Sequence, residues 1–129
     1  MVDPIFTKAK ILVVDDFEPW RSKVQEISQA RPEWTIASEA CDGLEAVQKA
    51  TALQPDIILL DFGLPTLNGI EAAKLIQQRC PESRIIFLTA NEDKELMSEA
   101  LGTRLARYVS KFKAETELLD TISAALRDG

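Results

Sequence analysis

The stretch Ile11-Leu12-Val13-Val14-Asp15-Asp16 decides how the whole chain is read. Four apolar residues run without alternation and end at two adjacent carboxylates. A run this short suits a strand better than a helix. The missing alternation predicts a strand covered on both faces. The design recurs three times. Ile57-Ile58-Leu59-Leu60 ends at Asp61, Ile85-Ile86-Phe87-Leu88 ends at Thr89, and the run from Ala106 to Ser110 ends at Lys111. If these runs are parallel strands, three carboxylates, a hydroxyl and an ammonium gather at one edge of one sheet. That set suits a divalent metal and a phosphoryl group.

Amphipathic segments fill the gaps. Phe17, Trp20, Val24 and Ile27 recur at helical spacing until Arg31-Pro32 ends the helix. Trp34 to Ala40 is β-like, with Trp34, Ile36 and Ala40 expected on one face. Asp42 is an expected N-cap for a helix with Leu44, Val47, Ala50 and Leu53 turned inward. A loop from Phe62 to Gly69 precedes a third helix marked by Ile70, Ala73 and Ile76 and closed by Cys80-Pro81. Leu96, Met97, Ala100 and Leu101 predict a short fourth helix, with Met97 as packing. A fifth strand is expected from about Leu105 to Ser110. Leu118, Ile122, Ala125 and Leu126 line a fifth helix. Five β-then-α units predict a doubly wound α/β fold, because right-handed crossovers place helices on both faces of a parallel sheet. Ligands in such sheets sit beyond the carboxyl ends of the strands, where strand order reverses.

Composition bounds the rest. The chain has 129 residues, 46% of them hydrophobic, which suits one domain with a packed core. Residues 10–127 are expected to form it, with residues 1–9 as an extension and 128–129 as a tail. The net charge of −6 argues against nucleic-acid binding by this domain, since phosphate contact needs clustered cations. The chain contains no His, which removes the commonest general base and zinc ligand, so neither a Ser-His-Asp hydrolase nor a zinc enzyme is expected. Cys41 and Cys80 lack metal-ligand spacing and are expected to be unpaired thiols. No stretch approaches the roughly 18 apolar residues of a membrane span, and the first ten residues hold no signal-peptide core. A cytoplasmic location is expected.

Four motifs then coincide: Val13-Val14-Asp15-Asp16; Leu60-Asp61 with Pro65 and Gly69 four and eight residues further on; Leu88-Thr89-Ala90; and Tyr108-Val109-Ser110-Lys111. Together with Cys41-Asp42-Gly43-Leu44-Glu45-Ala46 they resemble the receiver domain of bacterial two-component response regulators, the CheY-like superfamily. The resemblance runs from about Lys10 to Leu126. It implies a flavodoxin-like five-stranded parallel sheet in the order 2-1-3-4-5. It also implies Mg²⁺ (or Mn²⁺) held by Asp16, Asp61 and the backbone carbonyl of Gly63, with Asp15 acting mainly through water. Asp61 is implied as the phosphoacceptor, taking a phosphoryl group from a phosphohistidine on a sensor histidine kinase or a histidine phosphotransfer protein. Lys111 and Thr89 would bind phosphoryl oxygens, and Phe62 and Ala90 would contact the group. Thr89 and Tyr108 would then switch the face made by the fourth helix, fifth strand and fifth helix, a face through which a homodimer is possible. The chain is thus expected to be a signalling phosphoacceptor rather than a metabolic enzyme.

Some residues stand outside the pattern. Phe112 follows Lys111 where the family usually carries a cis proline. A non-proline cis bond costs roughly 2.5–4 kcal/mol, so a trans bond is expected. Arg104 and Arg107 replace small residues; they mark either a partner surface or a solvated stretch, and solvation is the expected role. Asn91 and Gly63 fall where the family sets phosphate lifetime, and Asn91 is expected to dominate. Two other readings exist. One is a receiver-like module that acts only by binding partners. The other is an aspartyl phosphatase, but that chemistry usually wants Asp-x-Asp on the first strand, and here the aspartates are adjacent.

Overall fold

The computed structural model describes residues 8–90 and 106–127. The elements are β1 (Ala9–Val14), α1 (Glu18–Ser28), β2 (Trp34–Ala40), α2 (Gly43–Leu53), β3 (Ile57–Asp61), α3 (Gly69–Arg79), β4 (Arg84–Thr89), β5 (Ala106–Ser110) and α4 (Ala114–Arg127). Helix α4 is the fifth helix of the sequence expectation. The expected fourth helix with Met97, and also Asn91 and Arg104, lie outside the described residues.

All strand pairs are parallel, and the sheet order is β2-β1-β3-β4-β5, as the resemblance implied. The continuous apolar runs serve two cores. Leu12, Val14, Ile58, Leu60, Ile85 and Phe87 pack with α2 and α3 residues such as Val47, Ala50, Ala73 and Ile76. Their chain neighbours Ile11, Val13, Ile57, Leu59, Ile86 and Leu88 face the other way, onto Val24 of α1 and Leu118, Ile122 and Ala125 of α4. A two-residue period with both faces buried is why no alternation is visible in the sequence.

Strand β2 departs from expectation. Trp34 and Ile36 pack with the α1/α4 core, whereas Ala40 joins the α2/α3 core. Ile36 pairs with Ile11 but Ser38 pairs with Leu12, so Ala37 is an extra residue. Such a bulge reverses the facing of every later side chain. Two further expectations fail for local reasons. Phe17 is the N-cap of α1 in extended conformation, ahead of the helical period, and is 60% exposed. Leu44 is half exposed because the buried stripe of α2 runs through Gly43, Ala46, Val47 and Ala50.

The starts of α2 and α3 carry side-chain caps, whereas α1 has none. Asp42 Oδ1 accepts from the Glu45 N–H at 2.8 Å, as expected. Asn68 and Glu71 form a reciprocal capping box on α3; each such cap stabilises by about 1 kcal/mol. Cys41 and Cys80 are both free thiols, the first exposed and the second buried.

Candidate functional site

The four strands that end in polar residues stop at one level. Asp61 pairs across from Leu88, and Thr89 from Ser110. β1 pairs with β2 on one side and β3 on the other, so the order reverses beside β1. Asp15, Asp16 and Asp61 flank that reversal. Each offers a carboxylate oxygen, and these oxygens lie within 4.8 Å of one another.

Their environments differ. Asp15 is 1% exposed. Its Oδ1 accepts from the Phe17 N–H at 2.9 Å, and its Oδ2 accepts from Lys111 Nζ at 2.5 Å. Its backbone carbonyl accepts from Arg21 Nη1 at 2.7 Å, and Arg21 is itself paired with Glu39. The Asp15 carboxylate thus serves the turn before α1 rather than capping the helix itself. Asp16 is exposed. Asp61 is mostly enclosed: Oδ2 accepts from the Gly63 N–H at 3.2 Å, and Oδ1 lies 3.5 Å from Lys111 Nζ. Burial raises the Asp61 pKa above its ordinary value. Lys111 opposes that rise, and the charge of Asp15 adds to it. The net upward direction means that Lys111 alone does not offset the desolvation and carboxylate crowding. Hard oxygen donors with excess negative charge fit Mg²⁺ or Mn²⁺.

The loop after β3 is pinned. The Gly69 N–H donates to the Phe62 carbonyl at 2.8 Å, and a Cβ at Gly69 would lie 2.3 Å from the Asp61 carbonyl oxygen. Gly43 approaches so closely that a Cβ there would lie 2.0 Å from the Leu67 carbonyl oxygen. Thr66 adopts φ 67°, uncommon for a β-branched residue. Its hydroxyl accepts from the Leu44 N–H and donates to Asp42 Oδ1. These contacts tie the loop to the start of α2. A cleft of about 390 Å³ results, lined by Asp61, Phe62, Gly63, Asn68, Ile70, Thr89, Ala90 and Lys111.

Comparison with known proteins decides the family. The model of the response regulator receiver domain matches residues 11–123. The chain belongs to the response regulator receiver domain family.

This receiver is similar to the response regulator domain of Thermotoga maritima CheB, with 34% identity and a TM-score of 0.85, covering 93% of this chain and 97% of that one. A LuxR-family response regulator from Aurantimonas sp. has a TM-score of 0.88 at 30% identity, covering 95% and 87%. Among curated relatives, the Brevibacillus brevis transcriptional regulatory protein DegU is 28% identical over 122 residues, 95% of this chain and 52% of DegU. The Thermotoga maritima protein-glutamate methylesterase/protein-glutamine glutaminase is 38% identical over 104 residues, 79% of this chain and 30% of that protein. The chain therefore spans about half or less of the length of these relatives. No helix among the described residues is long and apolar enough to cross a membrane.

Other expected residues fall around the same cleft. Thr89 is 2% exposed at the end of β4, and Ala90 is exposed beside it. Phe62 stacks on Phe87 with ring centroids 4.8 Å apart. Tyr108, opposite Phe87 in register, is half-buried against the α2/α3 core. Arg107 is half-buried on β5 rather than freely solvated. The receiver's departure at Phe112 has a simple outcome. No described peptide bond is cis, and residues Lys111–Lys113 form a 3-10 turn in which Ser110 Oγ accepts from the Phe112 N–H at 3.3 Å. A proline would have no such N–H to satisfy. Lys111 reaches both aspartates from this turn. No site role for Trp20, Arg21, Thr66, Asn68 or Ile70 is legible in the sequence. Helical spacing marked Trp20 and Ile70 only as apolar, and no local signal marks Arg21 or Thr66.

Proposed function

We propose that this chain is a phosphoacceptor that takes a phosphoryl group from a phosphohistidine onto Asp61. The observation that carries the reading is the placement of Lys111 Nζ, 2.5 Å from Asp15 Oδ2 and 3.5 Å from Asp61 Oδ1, beside a third carboxylate at the ends of parallel strands. An Asp61 carboxylate oxygen attacks phosphorus. The bond from phosphorus to the donor imidazole nitrogen breaks, and its electron pair stays on the ring. Lys111 neutralises charge on a phosphoryl oxygen as a point cation. The Thr89 hydroxyl and the Ala90 N–H bind other oxygens, while Phe62 flanks the group. Most of the work is positioning and charge neutralisation. Asp15, Asp16, Asp61 and the Gly63 carbonyl would hold Mg²⁺ or Mn²⁺, which when bound supplies further neutralisation of the carboxylates and the phosphoryl group. Water attack at phosphorus later releases phosphate and restores the Asp61 carboxylate, with Asn91 governing the rate.

The new charge then shifts an equilibrium between two arrangements of Thr89 and Tyr108. Tyr108 packs beside Phe87, which in turn stacks on Phe62 next to Asp61, and that continuity supports the coupling. The output is a changed face around β5 and α4, available to a partner or to a second copy. Residues 10–127 act as one signalling unit in the cytoplasm, served by a sensor kinase or a phosphotransfer protein, without catalytic turnover of other substrates. A module that only binds partners is disfavoured by the enclosed Asp61 and its adjacent cation. Incubation with acetyl phosphate and Mg²⁺, followed by intact mass measurement, tests the proposal. One added phosphoryl group on the wild type and none on Asp61→Asn is expected. No adduct in the presence of either acetyl phosphate or a phosphorylated histidine donor overturns it.

A further inference from the structure

Lys111 makes one contact that the phosphoacceptor reading does not use. Its Nζ lies 5.1 Å from the centroid of the Trp20 ring, within the range of a cation–π attraction. Trp20 stands on the first turn of α1, half-buried against the core shared by α1 and α4. Its indole N–H is buried with no hydrogen-bond partner among the described residues. Among the described residues the ring is met by packing and by the ammonium rather than by a polar partner. The ammonium needs such a support. A lysine head has three rotatable donors on a flexible stem, and Lys111 springs from a 3-10 turn rather than from a long element. Its two ion pairs among the described residues are with the Asp15 and Asp61 carboxylates, the same groups that would hold a divalent cation. A cation held there would compete with Lys111 for these carboxylates, and it would not compete for the ring face.

Resting on the phosphoacceptor reading, we propose that Trp20 is a positioning residue. Its ring fixes the Lys111 ammonium over the cleft, so that the cation meets the incoming phosphoryl oxygen without a search. Trp20 itself touches no reacting atom. The response should be graded with ring size. Trp20→Phe keeps an aromatic face, while Trp20→Leu keeps apolar bulk and removes the face.

Two readouts separate this role from plain packing. By NMR without metal, the Lys111 ε-methylene protons are expected to be shifted upfield by the indole ring. The shift should persist in part in Trp20→Phe and vanish in Trp20→Leu, with the methyl spectrum of the β-strand core unchanged. With acetyl phosphate and Mg²⁺, Trp20→Leu is expected to be phosphorylated about fivefold more slowly, ~1 kcal/mol at 1.4 kcal/mol per tenfold. Trp20→Phe should stay within about twofold of wild type. The Mg²⁺ midpoint should not move. Absence of the upfield shift in wild type overturns the proposal. So does a wild-type labelling rate in a Trp20→Leu protein that has lost the shift, or an equal loss of rate in both variants. If the wild type accepts no phosphoryl group from any donor, the phosphoacceptor reading fails, and the positioning of Lys111 is then decided by the ring-current shift alone.

Discussion

Lys111 and Asp15 form the tightest polar contact of the site: the ammonium lies 2.5 Å from Asp15 Oδ2, and Asp15 is almost wholly buried. The pair joins the end of β5 to the end of β1 across β3 and β4. Removing the cation leaves a buried carboxylate with one oxygen unmatched. Breaking a buried pair costs more than the pair contributes. Lys111→Ala is therefore expected to destabilise the metal-free domain by roughly 2 kcal/mol, measured by urea unfolding. Mg²⁺ should recover part of that loss. A variant as stable as wild type without metal would contradict the pairing.

Asp61 carries the opposite balance. Burial holds its pKa above the ordinary carboxylate value of 3.8, Lys111 opposes the rise, and Asp15 adds to it. The sign follows from linkage. The folded state binds this proton more tightly than the unfolded chain, so the contribution is fully present below the unfolded pKa and lost as pH rises through the folded one. At neutral pH the ionised Asp61 is a net cost. Asp61→Asn is therefore expected to raise the melting temperature in chelator at pH 7. The gain should fade in acid, as pH falls through the raised pKa, and shrink with Mg²⁺. A lower melting temperature for Asp61→Asn at pH 7 in chelator would refute this balance.

Three glycines around the acceptor loop should respond differently to a methyl group. A Cβ at Gly43 would lie 2.0 Å from the Leu67 carbonyl oxygen, and one at Gly69 2.3 Å from that of Asp61. Neither backbone can yield cheaply. Gly43→Ala and Gly69→Ala are each expected to cost about 2–3 kcal/mol. A Cβ at Gly63 meets only Asp61 Oδ2, at an ordinary 3.7 Å, so Gly63→Ala should change stability by less than ~0.5 kcal/mol. Thermal melts of the three proteins check the ranking.

Much of the fold was legible in the residues because both cores draw on uninterrupted apolar runs. Ile11–Val14 and Ile57–Leu60 announced strands buried on both faces, and the polar residue after each run marked the site edge. The strand order was not legible from periodicity; it entered with the family resemblance. The β2 bulge was hidden because Ala37 is unremarkable as a residue, and only pairing with Ile11 and Leu12 reveals the extra position. Leu44 misled because two adjacent candidates, Gly43 and Leu44, differ by one helical step, and packing chose the glycine. At the site, Asp15, Asp16, Asp61 and Lys111 converge where their strand ends placed them. The contact of Trp20 with Lys111 was not legible because helical spacing assigns a residue to a face but not to a particular neighbour. Thr66 escaped notice because its left-handed backbone depends on the contact with Leu44 and Asp42 from another element.

The most direct measurement maps the phosphoryl group to its residue. Protein treated with acetyl phosphate and Mg²⁺ is reduced with borohydride, which converts an aspartyl phosphate to homoserine, and is then digested and sequenced by mass spectrometry. Homoserine at position 61 alone is expected, absent when chelator replaces Mg²⁺ and absent in Asp61→Asn. Homoserine at position 15 or 16 with an unmodified Asp61, or an equal yield in Asp61→Asn, would contradict the assignment of Asp61 as the acceptor.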